Sequence, residues 1–278
     1  MAIIEKLVAG KWIAGPEIAD AINRARQLNK NHEKAILNYL GEELSDIRQV
    51  ADAVGHYKRL VSQIKGSQVQ ADISLKITQL GLGISYAVAL KNYKAVVSAA
   101  RRAGVFVWLD MEASKTVSAT IRAYESELGG GGVGLCLQAY LKRSEKDMQR
   151  LVKKHAVIRL VKGAYDEPAS KAFKTREEVS RNYEKLMLYL FKNASAFTLA
   201  THDDKLVERA RILNRSYQKN VTYAFLNGIR TKYARSLAEM GEHVSIYVPF
   251  GSKWLDYAYR RMREQGHASL VLKSLLGG

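Results

Sequence analysis

The chain has 278 residues, 47% of them hydrophobic, with three prolines and a single cysteine, Cys136, so it can bury one large core but cannot form an internal disulfide. No apolar run approaches the ~18 residues of a membrane span, and the first residues lack an uninterrupted apolar stretch and do not resemble a signal peptide, so a cytoplasmic protein is the expectation. Lys and Arg number 44 against 27 Asp and Glu, a formal charge of +17 that attracts polyanions, but the charges are spread without a basic tail or block, so no nucleic-acid partner is expected.

Residues 1–70 read as a helical arm. Ile18, Ile22, Ala25 and Leu28 recur near helical spacing, as do Ile36, Tyr39 and Leu40, and no alternating β-branched run interrupts them. From residue 71 the pattern becomes short apolar strands separated by amphipathic helices. The predicted strands are 72–77, 105–110, 133–138, 157–162, 197–202, 221–226 and 243–248, with helices such as 86–103, 115–127 and 231–240 between them. Repeated βα units predict a parallel sheet, either a barrel or a doubly wound fold, and residues 71–278 read as one structural unit.

Alternation within the strands favours the barrel. Ile73, Leu75 and Ile77 oppose Ser74 and Lys76; Val133, Leu135 and Leu137 oppose Gly134, Cys136 and Gln138; Val244, Ile246 and Val248 oppose Ser245 and Tyr247. One face is bulky and suits packing on helices, while the other is small or polar and suits a lumen. An ordinary central parallel strand would be apolar on both faces. The expected fold is therefore a distorted (βα)8 barrel with an N-terminal helical arm and a C-terminal helix over its mouth. Seven strands are legible, one short of closure. Polar groups gather at the strand ends (Lys76, Asp110, Gln138, Lys162 with Tyr165, Thr201-His202, Tyr247), which is the end where barrel active sites form.

Two motifs are set aside. Gly129-Gly-Gly-Gly-Val-Gly134 matches GxGxxG by letter, but a helix precedes it and a strand follows, the reverse of a dinucleotide fingerprint. Thr201-His-Asp-Asp204 has no second histidine at ligand spacing, so no metal site is expected. The segment from Trp254 to Glu264 carries more. Tyr257, Arg260, Arg261 and Glu264 fall at i, i+3, i+4 and i+7, on one helix face. Alone, such a face is more often a solvated helix with an Arg–Glu pair. The preceding Tyr247-Val-Pro-Phe-Gly turn shifts the balance, because it ends a strand at the site face and starts the helix there. Two adjacent guanidinium forks then suit a bidentate grip on a carboxylate or phosphate.

Taken together, these segments resemble the proline dehydrogenase family. The resemblance rests on Ile73-Ser-Leu-Lys-Ile-Thr-Gln-Leu-Gly-Leu82, Trp108-Leu-Asp-Met-Glu112, Leu137-Gln-Ala-Tyr-Leu141, Arg159-Leu-Val-Lys-Gly-Ala-Tyr165 with Glu167-Pro168, Ala200-Thr-His-Asp203 and Tyr247-Val-Pro-Phe-Gly…Trp254…Tyr257…Arg260-Arg261, in family order; Leu40-Gly-Glu42 adds to it in the arm. It implies FAD (FMN is the alternative) on the C-terminal face and oxidation of L-proline to Δ1-pyrroline-5-carboxylate, with hydride passing to flavin N5. By position, Arg260 and Arg261 would hold the substrate carboxylate, with Tyr257 beside them. Lys76, Asp110, Tyr165, Leu226 and Tyr247 would line the substrate pocket, and Lys76, Asp110 and Arg159 would serve the chemistry. Met111, Gln138, Arg159, Val161, Lys162, Gly163, Ala164, Thr201 and His202 would contact the flavin, and Glu264 would orient an arginine. Asp110 would stay ionised beside Lys76 or an arginine.

Two positions depart from the family pattern. Ala224 stands where a flavin-facing glutamine is common, and Asn227 where a ring residue is common. No second catalytic domain follows, so the product would pass to another enzyme and the electrons to an acceptor such as a membrane quinone. The basic surface would favour peripheral contact with an anionic bilayer. Oxidation of hydroxyproline, or a basic nucleic-acid-binding role, are the competing readings.

Overall fold

A computed structural model of the protein describes residues 11–254. Its elements in chain order are α1 Ile18–Asn29, β1 Glu33–Tyr39, α2 Ile47–Ser67, β2 Ala71–Lys76, α3 Tyr86–Ala103, β3 Val107–Asp110, α4 Val117–Leu128, β4 Val133–Gln138, α5 Ser144–Val152, β5 Val157–Val161, α6 Arg176–Asn193, β6 Ala196–Ala200, α7 Asp204–Tyr217, β7 Asn220–Leu226, α8 Thr231–Glu239 and β8 His243–Phe250. The strands follow one another in chain order around a closed barrel. Among the described residues no helix is long and apolar enough to cross a membrane.

The strand missing from the sequence reading is β1, and its position corrects the expectation of an all-helical stretch over 1–70. Glu33–Tyr39 pairs in parallel with β2 (Leu37 opposite Ile73) and with β8 (Leu37 opposite Val248). It holds one β-branched residue, Ile36, and Ala35, Ile36, Leu37 and Asn38 are all buried, so it shows no two-residue alternation. A strand covered on both faces looks like a short piece of buried helix by periodicity alone. Only the flanks betray it: His32 turns the chain with φ 59° before it, and Gly41 follows.

Local chemistry explains the helices. α2 buries Val50, Ala53, Val54, Tyr57, Leu60, Val61 and Ile64, a stripe at three- and four-residue spacing, and the Asp46 carboxylate caps its first turn by accepting from the N–H groups of Arg48 and Gln49. α6 starts with a reciprocal box in which Thr175 accepts from the Glu178 N–H and Glu178 accepts from the Thr175 N–H. α3 ends at Gly104, whose φ of 71° is the left-handed stop that glycine takes at least cost. α4 precedes the Gly129–Gly132 turn and β4 follows it, so that run is an αβ turn.

The described residues fall into two compact units, one running to Val107 and resuming at Phe225, the other Trp108–Ala224. In the second, Cys136, Arg159, Thr198 and Thr222 lie side by side in register on one face of the sheet, and Leu135, Ile158, Phe197 and Val221 on the other. In the first, Asn38 lies beside Ser74, and Leu37 beside Ile73. The polar-versus-bulky alternation that favoured a barrel is thus a property of neighbouring strands together.

Candidate active site

Within Trp108–Ala224, the central feature is an ion pair on the polar face. Arg159, at mid-strand in β5, donates from Nη2 to Oδ1 of Asp110, the last residue of β3, and both side chains are buried. The guanidinium also lies over the indole of Trp108, 4.9 Å from its centroid. The expectation that Asp110 sits beside a cation is met within its own unit by Arg159. Cys136 lies beside Arg159 in register, and burial pushes its thiol pKa up while the arginine pulls the other way, so the thiol stays protonated.

Gln138 ends β4 buried, and its Nε2 donates 2.9 Å to the carbonyl of Glu112, which fixes the direction of its amide. Met111, between Asp110 and Glu112, is also buried. After β5 the chain passes Lys162, Gly163, Ala164 and Tyr165, all half-buried. Gly163 has φ 117°, and a Cβ there would stand 2.1 Å from the Tyr140 ring, so the backbone runs directly across that ring. Lys162 Nζ donates to Asp203 Oδ2 (2.8 Å) and Ser180 Oγ (2.9 Å). Burial acts against the charge of Asp203, but the Lys162 hydrogen bond and charge, with the N–H groups of Leu206 and Lys205, outweigh it and hold the carboxyl below the usual Asp value. Thr201 is buried, with its hydroxyl accepting from the Asp203 N–H at 3.2 Å, and His202 is half-buried.

The first unit supplies other predicted residues. Lys76 ends β2 buried, its Nζ 3.4 Å from Glu42 Oε1. Leu226 ends β7 half-buried and packs on a cluster of Trp12, Ile13, Leu40 and Ile229. Tyr247 is half-buried in β8. Tyr257, Arg260, Arg261 and Glu264 lie outside the described residues.

Four partners escaped the sequence reading in these roles. Glu42 reaches Lys76 from the turn after β1, a strand that itself went unread. Asp203 carries a legible signal, since it stands at the N-cap position of α7 and accepts from the Lys205 N–H at 3.1 Å. The Glu112 carbonyl is backbone and has no side-chain signature. Asn227 was visible only as a departure, yet it is bonded on every polar edge, as described below.

As chemistry, the Trp108–Ala224 unit offers a buried guanidinium, an oriented amide and a lysine beside an open backbone turn at strand ends. Such a donor-rich set suits a flat ligand with several acceptors and partial negative charge, while the glycine at position 163 lets the backbone pass close to the Tyr140 ring. Ala224 is buried opposite Ala200 in register and contributes no polar group.

Comparison with known proteins gives a consistent picture. The family model described as Proline dehydrogenase matches residues 21–273. Proline dehydrogenase 1 of Bacillus subtilis (strain 168) is 30% identical over 276 residues, covering 98% of this chain and 91% of that protein. Proline dehydrogenase of Deinococcus radiodurans is 29% identical, covering 98% and 91%. Among solved structures, proline utilization A of Bdellovibrio bacteriovorus, inactivated by N-propargylglycine, superposes with a TM-score of 0.86 at 19% identity over 96% of this chain and 35% of the longer one, a likeness of fold.

Proposed function

The chain belongs to the proline dehydrogenase family, and from that premise we propose that it is an FAD-dependent enzyme that oxidises L-proline to Δ1-pyrroline-5-carboxylate, the first step of proline catabolism. It is an oxidoreductase acting on proline, as its family and named relatives are. When bound, the flavin supplies the acceptor, its N5 taking the hydride from the ring carbon next to the proline nitrogen.

The observation that carries the flavin reading is the buried pair between Arg159 of β5 and Asp110 at the end of β3, both in one unit. A permanently charged guanidinium kept out of water would stabilise negative charge that develops on a reduced ring, and this supports the reading. In our assignment Arg159, Gln138 and Met111 face the flavin ring. Val161, Lys162, Gly163, Ala164, Thr201 and His202 hold the remainder, the path of the Gly163 turn being set by the Tyr140 ring it crosses. The pairing of Lys162 with Asp203 means that it contacts the cofactor as a half-neutralised donor.

For the substrate, we assign the carboxylate to Arg260 and Arg261, with Glu264 orienting an arginine and Tyr257 beside them. The pocket residues that we assign to proline are those the family resemblance implies: Lys76, Asp110, Tyr165, Leu226 and Tyr247. Asp110 is engaged by Arg159, which supports a positioning role for it; the amine must be unprotonated for hydride to leave, and a carboxylate held this way orients it. Electrons leave for a quinone-class acceptor, and the +17 charge supports visits to an anionic bilayer where such an acceptor resides.

Anaerobic titration tests the reading. The purified chain reconstituted with FAD is expected to be yellow and to bleach on addition of L-proline. A chain that takes up no flavin, or stays oxidised under excess proline, overturns it.

A further inference from the structure

Asn227 directly follows the last residue of β7 and is 4% exposed. Its Oδ1 accepts from Arg24 Nε of α1 at 2.8 Å. Its Nδ2 donates to the backbone carbonyls of Trp12 at 3.1 Å and Lys11 at 3.3 Å. Its own N–H donates to the carbonyl of Tyr247 at 2.9 Å. The next residue, Gly228, has φ 76°, and a Cβ there would stand 2.2 Å from the Lys11 carbonyl oxygen, so the two backbones pass at a distance that glycine alone permits.

The same N-terminal segment continues over the end of β8. The Ala14 N–H donates to the Pro249 carbonyl at 3.0 Å, and the Gly251 N–H donates to the Gly15 carbonyl at 2.9 Å. The Trp12 side chain meanwhile forms the cluster on which Leu226 packs. Leu226 and Tyr247 are therefore both immediate dependants of Asn227. One precedes it in the chain and rests on the tryptophan whose carbonyl it holds, and the other gives it a carbonyl.

We propose that Asn227 is a positioning residue for the substrate: it locks the ends of β7 and β8 to the Lys11–Gly15 segment and so fixes where Leu226 and Tyr247 stand. The inference rests on the assignment of those two residues to proline made above. The amide chemistry is specific to the task. Only a primary amide offers an acceptor to Arg24 on one side and two donors to carbonyls on the other. Aspartate would keep the arginine but turn a second acceptor towards two carbonyl oxygens, and alanine would leave Arg24 and both carbonyls with no partner there. Where relatives of this pattern commonly carry a ring at this position, this chain fixes the same strand ends with a polar knot.

Steady-state kinetics on FAD-reconstituted wild type, Asn227→Ala and Arg24→Gln tests the proposal, with calorimetric binding of cyclopentanecarboxylate, a proline analogue without the nitrogen, as a readout independent of turnover. Asn227→Ala is expected to raise KM for proline and Kd for the analogue by about 10-fold, and to lift the kcat/KM ratio of hydroxyproline to proline, while kcat and flavin content change by no more than about 2-fold. Arg24→Gln, which leaves the buried amide in place, is expected to move the same quantities in the same direction by about 2- to 3-fold, and it decides the matter if the alanine variant does not fold. Equal losses in kcat and active fraction, with KM, Kd and the substrate ratio unmoved in both variants, overturn the proposal and leave Asn227 a purely structural residue. A wild type that binds the analogue but does not oxidise proline overturns the parent reading, and the inference with it, before any variant is compared.

Discussion

Arg159 and Asp110 form a buried ion pair in which the guanidinium Nη2 donates to the carboxylate Oδ1, while the Trp108 ring covers the guanidinium. Removing one member of a buried pair leaves the other charged and without its counterion, which costs about 3–5 kcal/mol. Asp110→Ala is expected to lower the unfolding free energy by about 3 kcal/mol in urea titrations at neutral pH. The double variant Asp110→Ala/Arg159→Met is expected to cost less than the sum of its singles, by about 1–3 kcal/mol. Activity is expected to fall by about 100-fold or more in each. An Asp110→Ala cost below about 1 kcal/mol would show that the pair is wet and weak.

Gly163 makes a sharper structural demand. Alanine there has both the unfavourable φ of 117° and a Cβ overlapping the Tyr140 ring. Strain of this kind costs about 1–3 kcal/mol before the clash is counted. Gly163→Ala is expected to lower Tm by about 6 °C and to reduce bound flavin. Adding Tyr140→Ala is expected to return part of the Tm but not the flavin, because the ring is the obstacle and the backbone path is the binding element. Recovery of neither in the double variant would locate the damage elsewhere.

The barrel was legible in the sequence because seven strands could be read, several of them with a bulky face opposite a small or polar one, and polar residues such as Lys76, Asp110, Gln138 and Lys162 gather at their ends. The eighth, Glu33–Tyr39, was not, since it is buried on both faces and its Ala35-Ile36-Leu37 run fits a helix as well as a strand. The site was legible as a set of residues and not as a set of pairs. Asp110 was foreseen beside Lys76 or an arginine, and within its unit it meets Arg159; Lys76 also meets Glu42, which was not foreseen. Pairing depends on strand order and register, which sequence spacing does not contain. Asn227 shows the same limit from the other side: its partners are Arg24, Lys11, Trp12 and Tyr247, some 20 to 216 residues away, and no local pattern announces them.

The Arg260-Arg261 assignment predicts a separable effect. A charge-assisted hydrogen bond contributes about 1.5–3 kcal/mol. Arg260→Ala or Arg261→Ala is expected to raise KM for proline by about 10- to 100-fold, with Tm and flavin content near wild type. Proline amide, which lacks the carboxylate, is expected to lose little further kcat/KM in the variants. Unchanged KM in both variants refutes the clamp.

Glu33, at the start of β1, supplies a pH-dependent prediction away from the chemistry. It is 1% exposed, and both carboxylate oxygens are buried without a hydrogen-bond partner among the described residues. Burial pushes its pKa above the usual Glu value, with Arg235 and Arg24 pulling it back only in part. A group whose native pKa is raised favours the fold while protonated. That contribution is complete below the ordinary Glu pKa of about 4.3, and it is lost as pH rises through the raised native value. At neutral pH the wild type therefore carries either a buried charge or the cost of keeping its proton. Glu33→Gln keeps the shape without that cost. It is expected to match the wild type near pH 4 and to exceed it at pH 7 by about 1 kcal/mol, read from urea unfolding at both values. A glutamine variant that gains nothing between pH 4 and pH 7, or falls below wild type at pH 7, would mean that the two arginines outweigh burial and that Glu33 is their ionised counterion.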